Sequence, residues 1–271
     1  MTEIPDLNAR ELLEFYLDTG VDALLGEEPV DRFAAVEAPP VAPRQPSERP
    51  APAPIVTARP AATAAAVVAP DEAAMAARAA AKSAASLDEL RAILEGFDGC
   101  ALKATATRTV FADGNPQARV MLVGEAPGRD EDIEGLPFVG RSGKLLDQML
   151  KAIGLDRTSV YIANIVPWRP PGNRTPTPQE SAICLPFILR QIELADPDIL
   201  VCLGGPSAQT LLGIKDGITK TRGRWFTFDT GKREIRAIAT FHPAFLLRSP
   251  LQKRFAWRDL LAIKKALDTA A

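Results

Sequence analysis

The sequence predicts a three-layer α/β/α domain with a mostly parallel central sheet, preceded by a disordered linker. Four short runs rich in Val, Ile and Leu, each ending in Gly, Asn or Pro, alternate with longer segments of helical periodicity. Strands that alternate with helices usually pair in parallel and are covered on both faces. Apolar residues make up 46% of the 271 residues, which is enough for a substantial core.

The predicted elements follow one another from residue 87 to residue 271. The strand runs are "ARVMLVGEAPG", "VYIANIVPW", "DILVCLGG" and "IRAIATFHP", and the helical patterns are "SGKLLDQMLKAIG", "PQESAICLPFILRQIEL", "PSAQTLLG" and "FAWRDLLAIKKALD". In sheets of this kind, ligands bind beyond the carboxyl ends of the strands. We therefore expect the functional site where these four runs end.

The N-terminal third divides into two segments. Residues 1–33 are predicted to form a short helical segment, because apolar side chains recur at helical spacing from Leu12 to Leu25. Its apolar face would meet a protein partner or the folded domain. Residues 34–86 contain many prolines and no aromatic residue or glycine, which predicts a largely disordered linker. Its Ala-rich part, residues 71–86, is compatible with a loose helix.

Charge and cysteine content narrow the class of protein. The net charge is −2, yet residues 219–271 carry twelve basic and four acidic side chains. Such a stretch indicates either a surface that binds an anion, usually nucleic acid, or a solvated helix face. Three cysteines, an acidic N-terminus and no long apolar run predict a soluble protein of the cytosol with no membrane contact. We further expect a monomer, located in the bacterial cytosol.

Two motifs carry most of the chemical information. "VGEAPGRDEDIEGLPFVGRSGKLL", residues 123–146, follows a strand with glycines and a carboxylate cluster, but its spacing matches neither G-x-G-x-x-G nor a P-loop. "TFHPAFLLRSP", residues 240–250, holds His242, the single histidine of the chain. A histidine at the end of a strand is compatible with a structural role as well as a catalytic one.

Three further segments follow one another between these two motifs: "VYIANIVPWRPPGNRTP", "VCLGGPSAQTLLG" and "GITKTRGRW". The chain from Leu87 to Leu267 thereby resembles the family 4 uracil-DNA glycosylases, the iron–sulfur type. The resemblance implies that a uracil nucleotide leaves the base stack and enters a pocket. Phe138 would stack on uracil and the Asn164 amide would read its edge, in a pocket formed with Gly124 and Ala126. His242 would be the donor directed at uracil O2.

The resemblance leaves the role of the carboxylates open. In family 1 enzymes an aspartate that positions water follows the first motif's glycine closely, and Ala126 stands at the matching place here. Glu131 becomes the first candidate to orient water or to stabilise the cationic sugar, and Glu125 the second. The alternative role for Glu131 is to line the pocket near uracil C5 and exclude the methyl group of thymine.

The resemblance also indicates DNA contacts. The segment "PAFLLRSP" would enter the DNA as a loop, with Leu246 or Leu247 as the wedge and Arg248 on a phosphate. Leucines that begin a buried helix are the alternative. Arg174, in "RPPGNRTP", would contact the DNA backbone. The turn containing Ser207 would donate hydrogen bonds from its N–H groups to a phosphate.

The sequence departs from the family at the metal site. The family holds a [4Fe–4S] cluster with four cysteines, the number of thiolates such a cluster needs. Cys100 and Cys184 match two of these ligands, whereas Phe97 and Trp168 stand at the other two positions, and Cys202 falls inside a strand. We expect that the cluster is lost and that no cofactor is present.

The sequence thus predicts a monofunctional uracil-DNA glycosylase that acts on single- or double-stranded DNA. No lysine stands where an amine nucleophile would be expected, so a lyase step is not predicted. The alternative is a non-catalytic module that binds uracil or single-stranded DNA and acts with a repair or replication partner.

Overall fold

The structure is a computed structural model that describes residues 70–269. It contains a mixed six-stranded sheet with helices on both faces, which confirms the predicted α/β class. The predicted helical segment over residues 1–33 and residues 34–69 of the predicted linker lie outside the described residues. Within the described part, no helix is both long and apolar enough to cross a lipid bilayer.

The sheet has the order β1-β3-β2-β4-β6-β5. Its strands are β1 (Asp113–Gly114), β2 (Val120–Gly124), β3 (Tyr161–Asn164), β4 (Ile199–Leu203), β5 (Trp225–Asp229) and β6 (Glu234–Thr240). The four predicted runs form the parallel strands β2, β3, β4 and β6. The edge strands β1 and β5 are antiparallel to their neighbours, and the sequence reading missed both.

The α-helices connect and cover these strands. They are α1 (Pro70–Ser83), α2 (Leu87–Gly96), α3 (Arg129–Glu134), α4 (Arg141–Lys151), α5 (Pro178–Ala195), α6 (Gly205–Leu212), α7 (Ile218–Thr221), α8 (Pro243–Arg248) and α9 (Lys253–Thr269). Short 3-10 helices occupy Ala101–Ala104, Pro171–Asn173 and Pro250–Gln252. The predicted helices correspond to α4, α5, α6 and α9.

The side chains of the buried strands point alternately to the two faces of the sheet and so form two separate hydrophobic cores. On β2, Met121 and Val123 pack with α1, α2, α5 and α6, whereas Val120 and Leu122 pack with α4, α8 and α9. Successive strand side chains point to opposite faces, so a fully apolar strand supplies both cores. The three-layer arrangement follows from this pattern.

Helix α1 changes the predicted domain boundary. Ala73, Ala77 and Ala81 recur every four residues and are buried, and they pack against α5. Their small side chains allow the two helices to approach closely, and Arg190 of α5 donates from Nη2 to the Ala84 carbonyl at 2.6 Å. Residues 70–83, placed in the linker by their composition, are therefore an ordered part of the folded domain.

Candidate active site

The candidate site lies at the carboxyl ends of the parallel strands, as expected. Strands β2 and β3 end side by side, with Gly124 paired to Asn164. Next to them is a cavity of about 600 Å³. Of the residues predicted to act, those that line it are Glu125, Ala126, Glu131, Phe138, Asn164, Arg174, His242 and Arg248.

Asn164 presents an unused acceptor to this cavity. The residue is 5% exposed, and its Oδ1 has no hydrogen-bond partner within the described residues. An unpaired buried polar group costs about 1–3 kcal/mol. A Cβ atom on Gly124 would collide with this oxygen and would lie 2.7 Å from Cζ of Phe138. Gly124 thus keeps the end of β2 open for the amide and the ring.

Phe138 is held in a conformation that non-glycine residues rarely adopt. Its φ is 54°, and its buried ring lies 5.4 Å from the His242 ring at a tilt of 30°. Arg157 donates from Nη2 to the Phe138 carbonyl and from Nη1 to the Pro137 carbonyl. Gly143 is required on the other side, because a Cβ there would collide with the same Phe138 carbonyl. The ring is thus fixed through its backbone.

His242 is fixed in one tautomer. It caps the N-terminus of α8, and its Nδ1 accepts a hydrogen bond from the Ala244 N–H at 3.1 Å. The proton of a neutral ring then belongs on Nε2. Burial, followed by the positive charge of Arg248, lowers the pKa of His242 to about 4. The imidazole is therefore neutral at physiological pH and can donate from Nε2.

The two candidate carboxylates have different environments. Both oxygens of Glu131 are engaged by backbone N–H groups, Oε2 by Gly128 and Oε1 by Gly140. Glu131 is 7% exposed and ties together the loops on either side of α3, so its role as first candidate for orienting water does not fit its contacts. Glu125 is half-buried at the cavity wall, and burial raises its pKa. Glu125 is the carboxylate that remains available to water.

The predicted DNA-contacting segment is a helix and not a loop. In α8, Leu246 is 1% exposed and packs in the core below β2 and β4, whereas Leu247 is 38% exposed. Leu246 is therefore excluded as a wedge because it points inward, and Leu247 remains. Arg248 is exposed at the rim of the cavity.

Two further predicted DNA contacts are engaged within the protein. Ser207 is completely buried, and its hydroxyl donates to the Val123 carbonyl at 2.7 Å, so its side chain anchors α6 to β2. The neighbouring Gly205 and Pro206 line the cavity in its place. Arg174 lines the cavity too, with its guanidinium held on both oxygens of Glu180 at 2.8 and 2.6 Å.

The region of the family's metal cluster contains two thiols and two aromatic rings. Cys100 and Cys184 are buried, and a hydrogen bond between their side chains lowers the pKa of Cys100 and raises that of Cys184. Trp168 is 1% exposed and donates from Nε1 to Thr109 Oγ1 at 3.1 Å. The Phe97 ring meets Phe187 edge to face at 5.1 Å.

This donor set does not fit a four-thiolate cluster. The third cysteine, Cys202, is fully buried in β4, and burial raises its pKa to about 12. The described residues contain no group of three or more His, Cys, Asp or Glu side chains that could hold a metal ion. Large rings occupy the two remaining ligand positions and pack in the core that surrounds Cys100 and Cys184.

Sequence reasoning missed a charged network behind His242. Asp259 of α9 is 1% exposed and accepts from Thr240 Oγ1 at 2.7 Å and from Arg222 Nε at 2.9 Å. Thr240 ends β6, two residues before His242, and the Arg222 guanidinium lies 5.7 Å from the Phe241 ring. Arg222 belongs to the "GITKTRGRW" motif, whose presence was the available signal.

Comparison with known proteins identifies the family of this chain. The chain belongs to the Uracil DNA glycosylase superfamily, whose model matches residues 111–261. It is 41% identical over 169 residues to the type-4 uracil-DNA glycosylase of Archaeoglobus fulgidus, covering 61% of this chain and 85% of that protein. It is 46% identical over 151 residues to the type-4 uracil-DNA glycosylase of Thermotoga maritima, covering 55% and 77%. The resemblance noted from the motifs is thus confirmed.

The same region also matches part of a larger protein. It is 31% identical over 168 residues to a DNA polymerase of Bacillus phage SP01, covering 62% of this chain but 18% of that protein.

Proposed function

We propose that this chain is a monofunctional uracil-DNA glycosylase that hydrolyses the N-glycosidic bond of deoxyuridine in single- or double-stranded DNA. The product would be an abasic site, the first intermediate of base excision repair. The observation that carries the proposal is the buried, unpartnered Oδ1 of Asn164 beside the rings of Phe138 and His242.

The proposed recognition uses the Asn164 amide as a directional reader. Oδ1 would accept from uracil N3–H while Nδ2 donates to O4, which also satisfies the buried acceptor. Cytosine has an acceptor at N3 and a donor at C4, so the same amide would face mismatched groups on both atoms. Phe138 would supply the stacking surface, and its fixed backbone would hold the ring in place.

In the proposed reaction, the bond between uracil N1 and the sugar C1′ breaks and its electron pair moves onto uracil. The negative charge that develops at O2 would be stabilised by Nε2–H of neutral His242. Water then adds to the cationic C1′, and the proton that it loses would pass through the Glu125 carboxylate to the uracil anion, so that neutral uracil leaves. The position of Glu125 at the cavity wall supports a role in orienting this water. The described residues that line the cavity include no lysine, in line with hydrolysis without a lyase step.

DNA would approach over α8. Leu247 is the exposed apolar side chain available to fill the gap left by the extruded nucleotide, and Arg248 stands next to it for a phosphate.

We further propose that catalysis proceeds without a [4Fe–4S] cluster. Two thiols and two aromatic rings at the ligand positions, packed with Phe187, support a core held by apolar contacts. Iron analysis of the purified protein and its absorbance near 400 nm test this proposal. Stoichiometric iron with a visible band would contradict it.

The activity is tested with an oligonucleotide that carries a single uracil, followed by alkali to cut abasic sites. We expect cleavage by the wild type and a loss of about 10²–10³ in rate for His242→Ala, as when one transition-state donor is removed. Asn164→Ala should lose rate as well. A protein that binds the uracil strand tightly and leaves it intact would instead favour the non-catalytic binding module.

A further inference from the structure

The C-terminal helix α9 carries an exposed face made of basic and large apolar side chains. These recur three or four positions apart and define the α9 basic face: Lys253, Arg254, Trp257, Arg258, Leu261 and Lys265. Trp257 is 42% exposed and Leu261 45%. The opposite side of the helix, which includes Ile263, is buried against the sheet. The face is therefore turned away from the core.

The charge of this face is not balanced by neighbouring carboxylates. Of the two acidic residues in α9, Asp259 is buried and bound to Arg222, and Asp268 is paired with Lys264. The basic side chains of the α9 basic face make no ion pair within the described residues. Four unpaired cations on one helix face attract an anion with several charges.

The exposed apolar side chains of the domain also collect here. Eight large apolar side chains are exposed among the described residues, and four of them fall between residues 247 and 261: Leu247, Leu251, Trp257 and Leu261. Helix α9 follows α8 after a short 3-10 turn, so the first residues of the α9 basic face are close along the chain to Leu247 and Arg248. The unbalanced positive charge of the α9 basic face and its short connection to α8 favour nucleic acid as the partner.

We propose that the α9 basic face binds the single-stranded DNA that continues from the uracil nucleotide. Stacking of bases on an aromatic ring combined with Lys and Arg on the phosphates is how single strands are bound without sequence preference. In a duplex, the base faces that Trp257 would contact are stacked and inaccessible. From Lys253 to Lys265 the helix extends about 18 Å, enough to follow several nucleotides. This inference rests on the proposed function for the location of the uracil nucleotide.

The test measures binding of a long uracil-free single-stranded oligonucleotide at several salt concentrations. Arg254→Gln combined with Arg258→Gln should reduce the slope of log Kd against log salt by about 1.4, since each phosphate contact on a single strand contributes about 0.7. Trp257→Ala should weaken binding at least about fivefold, and Trp257→Phe should retain most of it. The matched control, Arg78→Gln with Lys82→Gln, removes two exposed charges from α1 and should leave the slope unchanged.

Cleavage of short and long substrates separates this inference from the proposed function. The Arg254→Gln, Arg258→Gln variant should cut a uracil trinucleotide at the wild-type rate and show a raised KM on the long strand alone. A wild type that cuts neither substrate would refute the proposed function, whereas the binding measurement would still decide the role of the face. An unchanged Kd and slope in the variant would overturn the inference. So would sedimentation showing a dimer that Trp257→Ala dissociates, because a second copy would then cover the face.

Discussion

The position of the Phe138 ring, the proposed stacking surface, depends on a residue outside the cavity. Arg157 lies in the turn before β3 and donates to the carbonyls of Phe138 and Pro137. Its guanidinium is itself held by Asp113 at 2.6 Å and by Asp147 at 2.8 Å. A left-handed backbone costs about 1–2 kcal/mol in a non-glycine residue. The bonds from Arg157 offset this cost, so we expect Arg157 to be a positioning residue that acts through Phe138.

Arg157→Lys is the informative substitution because it keeps the charge and removes the planar fork. A hydrogen bond from a charged donor contributes about 1.5–3 kcal/mol, and the stacking that it secures contributes about 1–3 kcal/mol. Release of the Phe138 backbone should therefore weaken uracil binding by about 1–2 kcal/mol, a factor of about 5–30. Because the proposed bond-breaking step depends on His242, kcat should change much less than KM.

The assay is a double-mutant cycle on KM for a uracil oligonucleotide and on inhibition by free uracil. In a Phe138→Ala background, Arg157→Lys should have no further effect on either quantity. Arg119→Lys is the matched control, since Arg119 also bridges a carboxylate, Asp198, and a carbonyl, that of Leu267, remote from the site. Equal effects of Arg157→Lys with and without the Phe138 ring would refute the reasoning and leave a general stabilising role.

Three more outcomes follow from the same geometry. Gly124→Ala should abolish most activity while the melting temperature stays near wild type, because the added Cβ displaces Phe138 and Asn164 at the mouth of the site. His242 stays neutral above about pH 4, so the plot of rate against pH should show no step near pH 6.5. The rate should instead fall on acidification, as the pH passes below the raised pKa of Glu125. Glu125→Gln should remove this acidic decline in rate. Trp168→Ala should cost about 3–5 kcal/mol in urea unfolding, since the side chain is 1% exposed.

The central part of the fold could be predicted because its signals are local. Each parallel strand is a short apolar run, and each ends at a residue type that the sheet edge requires, as with Gly124 and Asn164. The edge strands could not be found in this way. Strand β1 has two residues, and β5 has a single buried residue, Phe228, among partly and fully exposed ones. Their pairing with β3 and β6 is decided by tertiary contact and not by composition.

Helix α1 shows the limit of composition as a guide. A stretch of alanines has little apolar surface per residue, so its composition predicts a linker. The burial of Ala73, Ala77 and Ala81 against α5 depends on how closely two helices approach, which the sequence of α1 alone does not specify.

Within the site, residue identity was easier to predict than residue role. Asn164, Phe138 and His242 were found from motifs, and the structure brings them together. The roles of Glu131 and Ser207 depend on which backbone groups come within hydrogen-bonding distance, and both are occupied by internal bonds. Leu246 and Leu247 are adjacent in sequence, and the rotation of α8 alone decides which one is exposed.

The region that contains Cys100 and Cys184 and the candidate site are joined by one continuous segment. After Asn164 the chain continues alongside the end of β2, with Ile165 N–H donating to the Gly124 carbonyl and Val166 N–H to the Glu125 carbonyl, both at 3.0 Å. Two residues further on, Trp168 enters the core that holds Cys100 and Cys184. A metal cluster bound at this position would fix the segment through covalent ligands, and a buried indole can fix it through packing. The proposed role of Asn164 requires the segment to be anchored, and in the proposed function the packing of Trp168 is that anchor.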